Sequence, residues 1–587
     1  MSRWDRLESG FAACHTRPGN VAAHLVTTPA GLFATASLLA RVHPWAAVAA
    51  AAGWSLALLP TTPLRWWAPS ALGLLGVALI AAVSPLGGPS AVALLVLAYV
   101  GQELAHVGAG EPTFQSTYQG ATPRWWVQLV GHTLHLPPLL LASALRVAPG
   151  LARLIAPPLS AVRTHLDSEE QRRDQQIVGE WSRQNLTTTA HTTHWWLSDL
   201  PPDVRAAFDR LARDPKVIAA LREPWSAAFT VEVLDGMNEI YVAAPAGDLT
   251  SDRVFYMRHV DGPWAIWPGA AVYRGLIAVS PNVMIRTHFP LDHPDDARNH
   301  VVLTMGDVLA FDFNRTPHFI SKDPERTNED LRIVLKVHYA VYPSWLPRYG
   351  RMLGQITTGY DIVARKLFLA TLAPTALVSR FSAFMVLAWT VIFEWVARNI
   401  GPTNLVYVAL LGGLSAATGS TLPLLLGAGY VHYLLYLSVW ALRDGVSWGT
   451  FLRDAVFYKT VSYGTLFAIY AWNFELSPLS LAAIFGGFGL SASAASALGV
   501  VRTYFGTELG LVEPKRVSGF PYNVVPHPMI VGGMLGLVGI WLMPGFRHAH
   551  PWVIPLHLAF YLAHLTQEIF DLRVHRELDA GPVSARE

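Results

Sequence analysis

The sequence predicts a multi-pass α-helical membrane protein with an inserted soluble all-β domain, and three observations lead there. Of the 587 residues 52% are hydrophobic and only 14% charged, a balance that suits a bundle of membrane spans better than a soluble enzyme of this length. The long apolar runs gather at the two ends of the chain. Between them lie short alternating segments separated by turn residues, the pattern of strands.

The N-terminal part, 1–157, carries apolar runs near 25–41, 45–60, 67–83 and 89–106 and a weaker one at 126–146. Several approach the roughly 20 residues that cross a bilayer core, so four or five spans are expected. In 158–228, "RTHLDSEEQRRDQQIVGEWSRQN" reads as a charged helical connector and "PPDVRAAFDRLARDPKVIAALREPW" as amphipathic helix. "HTTHWW" (191–196) has ligand-like spacing but reads as loop within that connector. From 229 to 345 the runs "FTVEVL", "EIYVAA", "RVFYMRHV", "VYRGLIAV", "VMIRTHF", "DVLAFDF" and "RIVLKVHYAVY" predict strands of a sandwich or small double-sheet barrel. The last part, 346–587, returns to apolar runs near 368–396, 404–442, 456–475, 478–499, 525–543 and 552–570. The second of these is long enough for two helices. Arg163, Arg172 and Arg173 before the β domain, and Arg348, Arg351 and Arg365 after it, predict that it lies in the cytoplasm.

Composition also excludes. A net charge of +2 with no basic run gives no reason to expect a nucleic-acid partner. One cysteine, Cys14, rules out a disulfide framework and a cysteine-rich metal site. The opening "MSRWDRLESGFAACHTRPGN" lacks a basic-then-apolar signal pattern, so insertion is expected from internal spans.

The most informative run is "RTYFGTELGLVEPKRVSGFPYNVVPHPMIVGGMLGLVGI" (502–540). With Gly506 and Gly510, "GFPYN" (519–523), "HPM" (527–529), Gly532 and the late Glu568 in "HLTQEIFD", it resembles the phospholipid (phosphatidylethanolamine) N-methyltransferase family. The resemblance implies an S-adenosylmethionine-dependent enzyme acting on a membrane lipid. Gly499, Gly506, Gly510, Pro528, Gly532 and Glu568 would hold the cofactor, and His527 and Asn523 would line the reacting end. Gln567–Glu568 stands where that family has an acidic pair. Independently of any family, an intramembrane carboxylate is costly without a partner, so Glu568 is a functional candidate. Glycines there let helix backbones approach a ligand closely.

"GDVLAFDFNRTPHFI" (306–320) and "NEDLRIVLKVHYAVYP" resemble the second half of the aspartyl/asparaginyl β-hydroxylase-like oxygenases. That resemblance implies a double-stranded β-helix using Fe(II) and 2-oxoglutarate. His318 and, from "YRGLIAVSPNVMIRTHFPL", His288 would be metal ligands, with Arg332 on the co-substrate; His293 and His300 are alternative ligands. Two imidazoles with open coordination positions suit ferrous iron, and an arginine fork suits a carboxylate.

"CHTRPGNVAAHLVTTP" (14–29), "YVGQELAHVGAGEPTFQSTY" (99–118) and "GHTLHLPPLL" (131–140) resemble small membrane dioxygenases that α-oxidise 2-hydroxy fatty acids. The resemblance implies iron held by histidines, with His15, His24, His106 and His132 as candidates, and Gln102 departs from its pattern. From spacing alone, Glu103 with His106 and His132 with His135 share helix faces. The sequence therefore supports a lipid-modifying membrane enzyme. The competing reading is a non-catalytic lipid-binding or scaffolding protein with decayed enzyme-like domains.

Overall fold

The structure, a computed structural model, describes residues 3–570 apart from 84, 114–124, 188–191, 226–227, 244–256, 266, 268, 296–297, 324–330, 372–375 and 444. The chain divides into two compact units, Met1–Ile155 and Ala156–Glu587.

The first unit is helical: Arg3–Ala13, Pro18–Val42, Pro44–Leu58, Leu64–Val83, Gly88–Ala109, Trp125–Arg146 and Ala148–Ile155. Prolines open two of these helices, where their missing N–H costs nothing, and Gly110 at φ 66° closes the Gly88–Ala109 helix. Pro18–Val42, Leu64–Val83 and Gly88–Ala109 are long and apolar enough to cross a membrane. The expected span at 45–60 is a 15-residue helix, too short to cross straight, and the one at 126–146 continues into a second helix bent from it by 76°.

In the second unit, Leu422–Leu442 and Pro478–Leu498 meet the same test, and Ala388–Asn399 with Pro402–Thr418 form a pair bent by 74°. Gly401 at φ 80° followed by Pro402 accounts for that break. Among the described residues five helices could span, or seven if each bent pair is one span. This fits an integral membrane protein. Outward apolar side chains such as Leu377, Phe485 and Leu79 are what lipid, unlike water, accommodates.

The β domain is built from ten strands: β1 (Ala161–His165), β2 (Thr193–Trp196), β3 (Phe229–Val233), β4 (Glu239–Ala243), β5 (Ala271–Ala278), β6 (Ile285–His288), β7 (His300–Val302), β8 (Asp307–Asp312), β9 (Phe319–Lys322) and β10 (Arg332–Pro343). They form a seven-stranded antiparallel sheet, β1-β8-β5-β10-β4-β2 with β3 also on β10, and a three-stranded sheet β7-β6-β9. Alternation sorts the long strand β10. Ile333, Leu335, Val337 and Tyr339 pack with Val178, Phe208 and Leu211 of the helices Glu169–Gln184 and Pro202–Ala212. Val334, from the other face, packs with Ile285 and Val301 of the small sheet.

Two expectations are corrected here. The stretch 158–228 is not a connector: β1 pairs with β8, β2 with β4, and its helices cover one face of the large sheet. Apart from Asp174, buried and paired with Arg210, the charged residues of these helices sit on their outer sides, which hid the buried stripe. Thr193–Trp196 is accordingly strand and not loop, while His191 lies outside the described residues. Of "RVFYMRHV", 253–256 lie outside the described residues, and His259 forms an isolated bridge to His318.

In the C-terminal part the helices Pro478–Leu498 and Pro528–Trp541 meet backbone to backbone. A Cβ on Gly532 would meet Gly487 O at 2.6 Å and Ser491 N at 2.7 Å, and one on Gly539 would meet Ile484 N at 2.7 Å. Small residues let backbones touch where water supplies no driving force. Gly487→Val therefore overpacks the contact by about 1–3 kcal/mol. The thermal midpoint of the detergent-purified protein should fall, whereas Gly486→Ala, with open space around it, should not lower it.

Candidate functional site

The glycine-packed pair holds between its ends a segment, 499–527, that is irregular apart from the single helical turn Val500–Thr503. Its backbone visits the left-handed region at Gly499 (φ 81°), Phe505 (58°), Gly510 (67°) and His527 (47°). Two of the three non-glycine residues with positive φ among the described residues fall here. Such conformations persist only where surroundings impose them, and they concentrate at functional sites. Gly506 is confined differently: a side chain would strike Val501 O at 2.6 Å.

Irregular backbone at membrane depth is tolerated where it lines a cavity. One of about 480 Å³ lies here, walled by Val500, Thr503 and Tyr504 of the segment and by Met529. His527 precedes the buried Pro528, the first residue of its helix, and its Nδ1 lies 2.6 Å from Glu568 Oε2. The hydrogen bond that Nδ1–H donates to Glu568 holds the imidazole's pKa above its usual value against the effect of partial burial. Gln567, beside Glu568, is instead buried and bonded to His564. Asn523 stands exposed on the 519–523 turn, and Gly532 is occupied by the helix contact.

Residues 477–570 match the phospholipid methyltransferase family. The chain is 42% identical over 64 residues to a phosphatidyl-N-methylethanolamine N-methyltransferase of Saccharomyces cerevisiae, covering 11% of this chain and 31% of the relative. It is 30% identical over 107 residues to the human phosphatidylethanolamine N-methyltransferase (18% and 52%), and 36% over 86 residues to a Dictyostelium discoideum counterpart (14% and 39%). The chain thus spans about half or less of the length of these relatives. The methyltransferase-like part contains the His527–Glu568 pair and the whole irregular segment.

A second group of side chains lies between the two sheets. One ligand atom each from His259, Asp261 and His318 falls within 4.8 Å of the others. Both histidines turn Nδ1 to a carbonyl two residues back, Met257 O (2.8 Å) and Thr316 O (3.1 Å). That leaves Nε2 facing Asp261, at 3.7 Å from His259 and 3.5 Å from His318. Burial pushes His318 down to about 3, so its ring is neutral near pH 7. Burial alone would raise Asp261, but Arg274 at 2.7 Å outweighs it and keeps the carboxyl well below the usual range. Arg332 and Lys336, from the inner face of β10, line the same cavity.

Of the residues expected there, His318 and Arg332 line this one cavity, but His288 does not. It lies on β6, its Nε2 2.6 Å from Ser321 Oγ and its ring stacked on Phe319. His300 sits opposite it on β7, and His293 accepts from Asp295 N in a turn. The residues that join His318 were hidden in a short loop. Their signal was the spacing His259-x-Asp261, which puts an imidazole and a carboxylate on one side of an extended backbone.

In the first unit, His15, His24 and His106 are buried and again offer nitrogens within 4.8 Å. His15 and His24 donate Nδ1–H to Phe11 O (2.9 Å) and Asn20 O (3.0 Å), and His15 Nε2 has no hydrogen-bond partner among the described residues. Burial holds His15 down to about 3. His132 packs on Phe11, which stacks on His15. Glu111 accepts from Asn20 at 2.8 Å, and neither it nor Glu103 is one of the group. His135 is structural, spanning Gly131 O and Thr61 Oγ1.

Because Glu568 raises the His527 pKa, the contact's contribution to stability is complete below the ordinary histidine value and is lost as pH rises through the raised one. Glu568→Gln should therefore lower the thermal midpoint more at pH 6 than at pH 9. Histidine NMR should show His527 titrating at lower pH in the variant.

Proposed function

We propose that the chain is a membrane lipid-modifying enzyme whose C-terminal part transfers methyl groups to the amine of a phospholipid. The match of 477–570 to the phospholipid methyltransferase family is the observation that carries this reading. The residues fit S-adenosylmethionine: the segment runs through Gly499, Gly506 and Gly510, where no side chain blocks the backbone, and Glu568 places a carboxylate beside His527 at its end. When bound, that cofactor supplies an electrophilic methyl group on a sulfonium. Gly499, Gly506 and Gly510 keep the segment close to the cofactor, and Glu568 offers charge to its amino group. A lipid ammonium must shed a proton before its nitrogen can attack. His527, made more basic by Glu568, is the group to receive that proton at Nε2.

The central domain adds oxidation of the same or a related lipid. Two imidazoles and a carboxylate are the donor set that suits non-haem iron, and His259, Asp261 and His318 supply it. Two facing antiparallel sheets agree with the double-stranded β-helix reading. With 2-oxoglutarate, Fe(II) there would activate oxygen, and Arg332 and Lys336 would provide cations for the co-substrate's carboxylates. His15, His24 and His106 form a further site of imidazole donors that suits iron, in line with fatty-acid oxidation in the N-terminal unit. Gln567, in place of an acid, favours a second reading in which the C-terminal part binds lipid without transfer.

Intact-lipid mass spectrometry on membranes of cells making the protein separates these readings. Lipids heavier by methyl groups should appear and vanish with Glu568→Ala but persist with Asp261→Ala. A lipid with an added oxygen should vanish with Asp261→Ala and persist with His288→Ala. Unchanged lipids from well-expressed wild type would favour the second reading.

A further inference from the structure

The Trp448–Trp472 helix lies outside the stretch that matches the methyltransferase family, yet it carries a cation at its middle, Lys459. Lys459, Tyr463 and Phe467, four residues apart, form one stripe of that helix, and all three line the cavity beside the irregular segment. Among the described residues the ammonium has neither a hydrogen bond nor an ion pair. An unpaired cation among apolar side chains in a helical membrane bundle is costly, and such residues mark ligand sites. The rest of the wall explains what it waits for. Tyr463 and Tyr561, joined at 2.8 Å through their hydroxyls, and Ser491, Ser496 and Thr503 bring hydrogen-bond donors, while Phe488 and Met529 are apolar.

We propose that Lys459 anchors the phosphodiester of the substrate lipid, so that the protein recognises a phosphate-bearing amine lipid by charge as well as by its amine. This rests on the methyltransferase reading and deepens it. The geometry orients the headgroup. Met529 is two residues from His527, and Tyr561 lies on the Val553–Phe570 helix two turns before Glu568 and on the same face, about 10 Å along the axis. A phosphate held at Lys459 directs the amine of the headgroup toward the His527–Glu568 end. Phe467 (39% exposed) and Val500 (59%) on the rim open the cavity to the outside of the bundle, where acyl chains lie. The cofactor's carboxylate is the other oxyanion that could meet Lys459. The lipid is favoured because this cavity opens through apolar side chains to the outside.

The test uses the full chain in nanodiscs, wild type beside Lys459→Met and Lys459→Arg. Loss of a charge-assisted contact should raise KM for phosphatidylethanolamine about ten- to hundredfold in Lys459→Met. Lys459→Arg should stay close to wild type, and the dissociation constant for S-adenosylmethionine should be unchanged in both, which also shows that they fold. Sphingosine, an amine lipid without phosphate, should be methylated equally by wild type and Lys459→Met. A raised cofactor dissociation constant with unchanged lipid KM would assign the cation to the cofactor's carboxylate and overturn the proposal, as would no change in either. Native mass spectrometry of lipid retention needs no turnover: wild type should keep phosphatidylethanolamine over diacylglycerol, and Lys459→Met should lose that preference. Equal retention by both would overturn the anchor. Absence of methyl transfer by wild type, with the preference intact, would overturn only the methyltransferase reading.

Discussion

Direct backbone contact between the helices Pro478–Leu498 and Pro528–Trp541 is the constraint on which the C-terminal part depends. Gly487 and Gly532 lie against each other's backbone, and Gly539 lies against Ile484. This contact fixes where one helix ends and the next begins, and so fixes both ends of the 499–527 segment. Within that span the backbone enters the left-handed region at Gly499 and Gly510, where glycine is at ease, and at the less comfortable Phe505 and His527. His527 is thereby set at the start of its helix and within hydrogen-bond distance of Glu568 on another. The cavity is what this irregular backbone leaves beside the bundle.

The β domain obeys a different rule, the period of two. One face of the large sheet is apolar and covered by helices; the other faces the small sheet and carries Glu239, Arg274, Arg332, Lys336 and His338. Buried charges need partners, and they have them. Glu239 meets His194, Lys336 and Arg365, while Arg274 reaches Asp261 and Asp361. Asp361 and Arg365 belong to the helix Pro347–Thr371 that leaves the domain, so the ionic network ties that helix to the His259–Asp261–His318 group.

Legibility followed the strength of each physical signal. In β10, apolar Ile333, Leu335 and Val337 alternate with Arg332, Val334 and Lys336, so both the strand and the inward arginine could be read from the sequence. The histidines at 15, 24 and 106 stood out as polar groups in or beside apolar runs, and they converge. His259 and Asp261 did not stand out, because a single bridge residue at the end of a strand-like run, and a carboxylate just past it, carry no periodic signal of their own. Strands β1 and β2 were missed for a related reason: they are short, and their partners lie more than 40 residues away in sequence. His288 was misjudged because sequence spacing does not record that β6 and β9 turn it toward Ser321.

Hydrogen exchange of the purified full chain, with and without S-adenosylmethionine, tests the central claim most directly. If the segment between the glycine-packed helices is the cofactor site, the ligand should slow exchange at amides in 499–512 and around 527–530 and leave the β domain unchanged. Saturable binding with protection elsewhere and none in these stretches would contradict the account.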